Sequence, residues 1–451
     1  MTMAWRGSLL AMLGVPRLLA VVVTAALAAC GVPGTPKPFP STGDGPFVQP
    51  ATLAGEPERD VVVLGTTRHA AAMQLGTVQG GRLPVEARPV AEPSAVPVAA
   101  PALVATGGPA PLPAGRFHVL ASLDPAHYHD EVVQADAVAT GAHCRLYVDR
   151  TLAGDDALRS RVEALVPAFD TRIYPTDTGL YGAPPRLAGA ADDGRIEILV
   201  SPAVGDHGRT EVAGYFAWRD LVPAGTGGSA LLRDANHRRL ICLADGPLLA
   251  GLPADGLGTL AHEFAHMLVF ARKGWDDAHG RPTGRHEEPW LDEAYAMFAM
   301  GACGYGADHG ARFLAEHVAR WAARPGAYSL TDWAGNPDHE AYGMAALFMG
   351  YLGADVVRAA AHGPWTGVPA LEQALARQGT SLEVAFQAWT LAALSDGGVA
   401  SPAPARAMTY TLRPYTAQYL ALPGAGARAL DARGVTPAAW VRLGVAGADG
   451  G

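Results

Sequence analysis

The sequence contains the segment Asp255–Arg272, which has His262-Glu263-Phe264-Ala265-His266 at its centre. Asp255 is placed to cap a helix N-terminus, and apolar residues then recur at helical intervals. These are Leu257, Leu260, Ala261, Phe264 and Leu268. Because residues four apart share one helical face, the imidazoles of His262 and His266 can bind one ion. The segment therefore predicts a helix that carries one zinc ion.

A catalytic zinc site needs more than two histidines. Glu263 is offset from His262 around the helix, where a carboxylate polarises the water of a His-Glu-x-x-His site instead of binding the metal. A third protein ligand is also required. Val269 and Arg272 stand where an extended motif would have Gly and His, so that ligand must come from elsewhere.

The next acidic segment, Glu287–Ala294, offers the third ligand. Pro289 suits the first turn of a helix, and Glu293 would lie beside its inward-packed face. That face comprises Trp290, Ala294, Met297 and Phe298. Asp292 points about 100° away, so we predict Glu293, with Glu288 and Asp292 as alternatives. Glu287 and Glu288 otherwise supply favourable charge at a helix N-terminus.

These residues resemble the gluzincins, whose third zinc ligand is a glutamate on the following helix. The closer resemblance is to the hyicolysin family of bacterial metallopeptidases, which pairs His-Glu-Phe-x-His with Trp-Leu-x-Glu-Gly. Here the second segment reads Trp290-Leu291-Asp292-Glu293, and Ala294 replaces the glycine. The upstream segments 168–175, 193–196 and 214–216 also look similar. The resemblance covers about residues 140–355.

The resemblance implies two further features of the site. Tyr342, at the start of an apolar helix, matches the tyrosine that stabilises the oxyanion; an ordinary interfacial tyrosine is the alternative. Thermolysin-like enzymes also have an aspartate four residues after the glutamate ligand, which orients a zinc histidine. Met297 occupies that position, so the orienting group must be another residue or a backbone carbonyl.

Strand-like segments precede the zinc helix, and helical patterns follow it to about Leu394, which predicts the α+β class. The predicted strands are Arg145–Asp149, Arg195–Val200, Ala213–Trp218 and Leu240–Leu243. The pattern of the sequence changes at about Arg116, and we predict a domain over residues 116–398. The resemblance implies that this domain is a zincin-like catalytic domain with a mixed sheet, an active-site helix and a helical subdomain. Alternating runs between Met408 and Leu443 predict a small C-terminal β appendage within residues 399–451.

The N-terminus is typical of an exported protein. Residues 1–30 combine a positive start with an apolar run, and Leu27-Ala28-Ala29-Cys30 resembles a bacterial lipobox. We therefore expect a membrane-anchored lipoprotein of the cell envelope, lipidated at Cys30. Residues 31–115 are expected to form a tether and a partly β segment. It includes a strand at Val61–Leu64 and an extended, poorly ordered tract at 84–114.

Composition limits the partners and the disulfides. The net charge of −9 and the absence of a basic cluster argue against a nucleic-acid partner. If Cys30 is lipidated, Cys144, Cys242 and Cys303 remain, and we expect three buried thiols, with one disulfide as the alternative. The sequence leaves the oligomeric state and any pro-segment role of residues 31–115 open.

The function expected from these features is an exported zinc-dependent endopeptidase acting on proteins or peptides. An extended substrate could pair with an edge strand at Gly214–Trp218. One alternative is an aminopeptidase, although the Gly-x-Met-Glu-Asn segment of those gluzincins is missing. The other is a non-catalytic zincin-fold surface lipoprotein that acts as a binding module.

Overall fold

The computed structural model describes most of the chain from residue 59 to residue 446. The described ranges are 59–79, 82–90, 112–122, 129–187, 193–208, 212–226, 230–250, 253–306, 311–337, 341–395, 402–422, 429–433 and 439–446. The described residues form two compact units, of which the first comprises those within Val98–Phe313 and Val357–Ala370. The second takes its residues from Gly14–Pro97, Leu314–Val356 and Leu371–Gly451. The predicted signal segment and Cys30 lie outside the described residues.

Helices and strands are mixed along the described chain, which confirms the α+β class. The strands are β1 (Arg59–Thr66), β2 (Ala71–Leu75), β3 (Arg82–Pro89), β4 (Arg116–Ser122), β5 (His129–Thr140), β6 (Cys144–Asp149), β7 (Ile196–Val200), β8 (Gly214–Phe216), β9 (Leu240–Leu243), β10 (Trp275–Asp276), β11 (Arg281–Pro282), β12 (Ala403–Pro404), β13 (Thr409–Leu412), β14 (Ala417–Ala421), β15 (Ala429–Arg433) and β16 (Ala439–Ala446). The helices are α1 (Asp156–Glu163), α2 (Leu165–Ala168), α3 (Tyr174–Tyr181), α4 (Ala230–Arg233), α5 (Gly246–Leu249), α6 (Pro253–Lys273), α7 (Pro289–Ala302), α8 (Arg312–Ala323), α9 (Tyr342–Leu352), α10 (Ala354–His362), α11 (Gly367–Ala376) and α12 (Leu382–Ser395). A π-helical turn, Phe169–Ile173, joins α2 to α3.

The first unit is built on a mixed six-stranded sheet with the order β4-β5-β6-β7-β9-β8. The strands β6, β7 and β9 run parallel, and β8 lies antiparallel to β9 at the edge. All four predicted strands are therefore found. The predicted strand Ala213–Trp218 is too long, because the observed strand β8 ends at Phe216. Trp218 begins a 3₁₀ turn and stacks on Phe270, because the chain leaves the sheet after Phe216.

Helix α6 packs closely on this sheet, and its residues from Thr259 to Phe270 are all buried. Phe264 is fully buried, and the rings of Phe169 and Tyr174 pack against it at 5.0 and 5.6 Å. At Gly214 an added Cβ would lie 2.8 Å from Thr259 of α6 and 2.9 Å from the carbonyl oxygen of Cys242. The absence of a side chain there lets β8 approach the helix.

The start of α6 differs from the prediction. The helix begins at Pro253, two residues before Asp255. The Asp255 carboxylate accepts a hydrogen bond from the backbone N–H of Arg312 at 2.8 Å. The predicted N-cap role of Asp255 is therefore wrong, since its side chain bonds the start of α8.

The second unit contains two four-stranded sheets, with the orders β12-β14-β1-β16 and β13-β2-β3-β15. Strand β1 contains the predicted strand Val61–Leu64 and pairs with both β14 and β16. The C-terminal strands thus share their sheets with strands from residues 59–89 and do not form an appendage of their own. The prediction of an extended, poorly ordered tract fails at its start, because β3 pairs with β2 and β15. Residues 91–111 lie outside the described ones.

The cysteines follow the prediction of buried thiols. Cys144, Cys242 and Cys303 are free and buried, and none forms a disulfide. Burial raises the pKa of Cys144 to about 12, so this thiol stays protonated at neutral pH.

No single helix among the described residues has the length and apolar composition needed to cross a membrane. The consecutive helices α9 and α10 have that length and composition only when they are counted together, and they meet at a bend of 103°.

Candidate metal centre

Three ligand atoms meet between α6 and α7 in the first unit. The Nε2 atoms of His262 and His266 are 3.0 Å apart. The Oε2 atom of Glu293 lies 3.2 Å from the first nitrogen and 3.5 Å from the second. All three side chains are buried. The structure therefore brings together the three residues that the sequence predicted as metal ligands.

The spacing of these atoms suits zinc. Tetrahedral zinc with bonds of about 2.0–2.1 Å separates its ligand atoms by about 3.3 Å. The three measured separations lie on both sides of that value. The donor set, two imidazole nitrogens and one carboxylate oxygen, is also one that catalytic zinc sites use. The residues present therefore fit a zinc ion.

The charge of the cluster also favours a bound cation. Two imidazoles and the carboxylates of Glu263 and Glu293 are each at most 5% exposed. Burying carboxylates is costly unless a positive charge compensates them. Burial raises the pKa of Glu293, but the two histidines outweigh it and hold that pKa at about 2. The carboxylate is thus ionised and ready to bind a cation.

A carboxylate outside the ligand set orients one of the histidines. Oδ2 of Asp292 lies 3.1 Å from Nδ1 of His266, on the side of the ring away from Nε2. Burial lowers the pKa of His266, but Asp292 and Glu293 raise it well above its usual value. Such a partner fixes the tautomer and leaves Nε2 for the metal. Asp292 therefore lies outside the group of candidate ligands, and it supplies the carboxylate next to a histidine that Met297 cannot supply.

Replacing Asp292 with Asn is expected to weaken zinc binding by about 10–100-fold, because the amide cannot stabilise the Nδ1 proton as a carboxylate does. The variant Asp276→Asn serves as the matched control, since Asp276 pairs with the exposed His279 at 2.7 Å. Zinc affinity is measured by competition with a chromophoric chelator. An Asp292→Asn affinity equal to that of the control would refute the orienting role.

The carboxylate of Glu263 lies beside the ligand atoms without joining them. Its Oε1 is 4.0 Å from Nε2 of His262, and its Oε2 accepts a hydrogen bond from the backbone N–H of Phe216 at 2.8 Å. Burial raises the pKa of Glu263. A carboxylate held in place by a backbone donor and raised in basicity is suited to take up a proton. Phe216 belongs to β8, so the edge strand positions this residue.

Neither Glu287 nor Glu288 contributes to the metal centre. Glu287 is not a solvated charge at a helix N-terminus: its Oε1 accepts hydrogen bonds from the backbone N–H groups of Gly367 and Glu288, at 2.6 and 2.9 Å. Its Oε2 lies 3.8 Å from Nζ of Lys273, at the end of α6. Oε2 of Glu288 accepts a hydrogen bond from the indole N–H of Trp290 at 2.7 Å. Glu288 is thus excluded as the third ligand.

The burial of Glu287 predicts a pH-dependent stability. Burial raises the pKa of Glu287 from 4.5 to about 7, so between these values the folded protein binds more protons than the unfolded chain. Stability should therefore fall as the pH rises from 4.5 to 7. Replacing Glu287 with Gln should reduce this loss in the free energy of unfolding by about 1–3 kcal/mol. Urea unfolding at pH 5 and pH 8 measures it. An unchanged difference between the two pH values would contradict the prediction, and Glu288→Gln is the matched control.

Tyr342 lies in the second unit, where it begins helix α9 and is buried. Its ring packs edge-to-face against His317 and Trp333, with centroids 5.1 and 5.2 Å away. Burial lowers the pKa of His317 to about 3, so this imidazole is neutral. The role of Tyr342 at an oxyanion stays a prediction.

No protein-family model matches the chain, and no curated protein matches it significantly.

Proposed function

We propose that this protein is a zinc-dependent endopeptidase. The observation that carries the proposal is the convergence of His262, His266 and Glu293 with Glu263 beside them. This combination of three protein ligands and one nearby carboxylate outside the ligand set is what hydrolytic zinc sites require. The proposal includes a zincin-like arrangement of the first unit, in which a mixed sheet supports the helix that carries the metal ligands.

The chain's own residues have distinct roles in the proposed reaction. A bound zinc supplies Lewis acidity, which polarises a peptide carbonyl and brings the pKa of a water to about 7. Glu263 takes the proton of the attacking water and delivers it to the leaving amine. The backbone N–H of Phe216 holds Glu263 in position. Asp292 holds the ring of His266 so that Nε2 faces the cluster.

The edge strand β8 supports a peptide as the substrate. It borders α6, and among the described strands β9 alone pairs with it. An extended peptide bound along such an edge would lie next to Glu263. We include in the proposal an exported, lipid-anchored location through Cys30.

Removal and return of the metal test the proposal. Casein hydrolysis by the purified protein should be lost after dialysis against 1,10-phenanthroline and restored by zinc. A metal-free protein that still hydrolyses casein at the original rate would overturn the zinc mechanism. A zinc-loaded protein that cleaves neither casein nor a library of unstructured peptides would instead favour the binding-module alternative.

A further inference from the structure

A second group of metal-binding side chains lies on the first unit, away from the residues of α6 and α7. His129, Glu131 and Asp206 each present one ligand atom, and these atoms lie within 4.8 Å of one another. Nε2 of His129 is 3.7 Å from Oε1 of Glu131 and 3.8 Å from Oδ1 of Asp206. Their side chains are 44%, 34% and 15% exposed. The group is therefore open to ions from solution.

The strand period explains why two of these residues face the same way. His129 and Glu131 are two residues apart in β5, so their side chains leave the same face. Asp130 between them points to the other face, where Nη1 of Arg219 donates a hydrogen bond to Oδ2 at 2.9 Å. The alternation thus places one carboxylate in an ion pair with arginine and leaves the imidazole and the other carboxylate together.

The third ligand comes from a turn that follows β7. The residues from Gly205 to Gly208 all have positive φ, at 80°, 50°, 54° and 81°. Backbone hydrogen bonds hold this turn: the N–H of Asp206 donates to Ala203 at 3.1 Å, and the N–H of His207 donates to Pro202 at 2.9 Å. The turn thereby fixes the position from which the carboxylate of Asp206 reaches His129.

A neighbouring histidine, His207, contacts one of the three residues. Nε2 of His207 lies 3.1 Å from Oε2 of Glu131, whereas the other oxygen, Oε1, is the one paired with His129. A partner on the far oxygen of a carboxylate ligand orients the oxygen that binds the metal. The cluster therefore has both a set of ligand atoms and a residue that positions one of them.

We propose that His129, Glu131 and Asp206 form a second site for a divalent transition ion such as Zn²⁺. One imidazole with two carboxylates favours such an ion over Ca²⁺ or Mg²⁺, which prefer all-oxygen ligands. The two separations from Nε2 of His129, 3.7 and 3.8 Å, need to close by about half an ångström to reach the ~3.3 Å of tetrahedral zinc. The two carboxylate oxygens lie within 4.8 Å of each other. An ion there would join the start of β5 to the turn after β7. This site does not depend on the proposed peptidase activity.

Calorimetric titration of the full chain tests the second site. Protein already loaded with one equivalent of zinc is titrated with ZnCl₂ and, separately, with CaCl₂. We expect one further zinc equivalent that binds at least about tenfold more weakly in Glu131→Gln and in His129→Gln. Both variants should retain the first equivalent, which shows that they are folded. His279→Gln is the matched control, because His279 contacts the single carboxylate of Asp276 at 2.7 Å and should bind as the wild type does.

Three results would overturn the assignment. The first is the binding of no further zinc by the wild type. The second is a further equivalent that both substitutions leave unchanged or that His279→Gln weakens equally. The third is tighter binding of Ca²⁺ than of Zn²⁺, which would exclude a transition-ion site.

Discussion

Replacing Glu263 with Gln should lower the rate of casein hydrolysis by about 10²–10⁴-fold while the protein keeps its zinc. Glutamine has the same shape, and its side-chain oxygen can still accept the hydrogen bond from the N–H of Phe216. It cannot take up the proton of the attacking water. The fold and the three metal ligands stay intact, so the loss should appear in kcat.

The control for this variant is Glu288→Gln, which removes a carboxylate near the centre that hydrogen-bonds Trp290 and does not join the ligand cluster. It should hydrolyse casein at close to the wild-type rate. Zinc content of both variants is measured by mass spectrometry on the samples used for kinetics. Full activity of zinc-loaded Glu263→Gln would remove this residue from the mechanism.

Replacing Glu293 with Gln should weaken zinc binding by more than about 100-fold, because losing a ligand costs more than losing an orienting partner. Its Oε2 lies within 3.5 Å of both histidine nitrogens and carries the negative charge that compensates the metal. The isosteric amide leaves packing between α6 and α7 unchanged. The same chelator competition used for Asp292 measures the change.

The order of the two effects is itself a test. Glu293→Gln should lose more zinc affinity than Asp292→Asn, since only the former removes an atom of the ligand triangle. Equal wild-type affinity in Glu293→Gln would show that the third ligand lies elsewhere. Glu288→Gln, the alternative considered from sequence, should bind zinc as tightly as the wild type.

The convergence of the candidate metal ligands was predictable because their spacing follows from helix geometry. His262 and His266 share one face of an apolar helix, and Glu293 lies at the packed face of the next helix. The sheet strands were predictable for the same reason: runs such as Leu240–Leu243 are apolar throughout, and β9 is buried between two neighbouring strands.

The orienting role of Asp292 was not predicted, because it depends on the rotation of α7 relative to α6. On an ideal helix Asp292 points about 100° from Glu293, and the sequence does not show which group lies in that direction. The structure places Nδ1 of His266 there. The adjacency of an acidic residue to the glutamate ligand was the available signal.

Long-range pairing was the other limit. The partners of β1 are β14 and β16, more than 350 residues along the chain, and alternation within a strand does not specify its neighbour. The burial of Glu287 was not predicted for the same reason. Its carboxylate contacts Lys273 and Gly367, and its position at a helix N-terminus does not indicate either contact.

Zinc K-edge X-ray absorption on protein containing one equivalent of zinc reports the ligands of the bound ion. Binding by His262, His266 and Glu293 should give two imidazole nitrogens and a carboxylate oxygen at about 2.0–2.1 Å, with no sulfur neighbour. Glu293→Gln should alter this signal, and Glu288→Gln should not. A sulfur shell at about 2.3 Å, or a spectrum with fewer than two imidazoles, would contradict a centre formed by His262, His266 and Glu293.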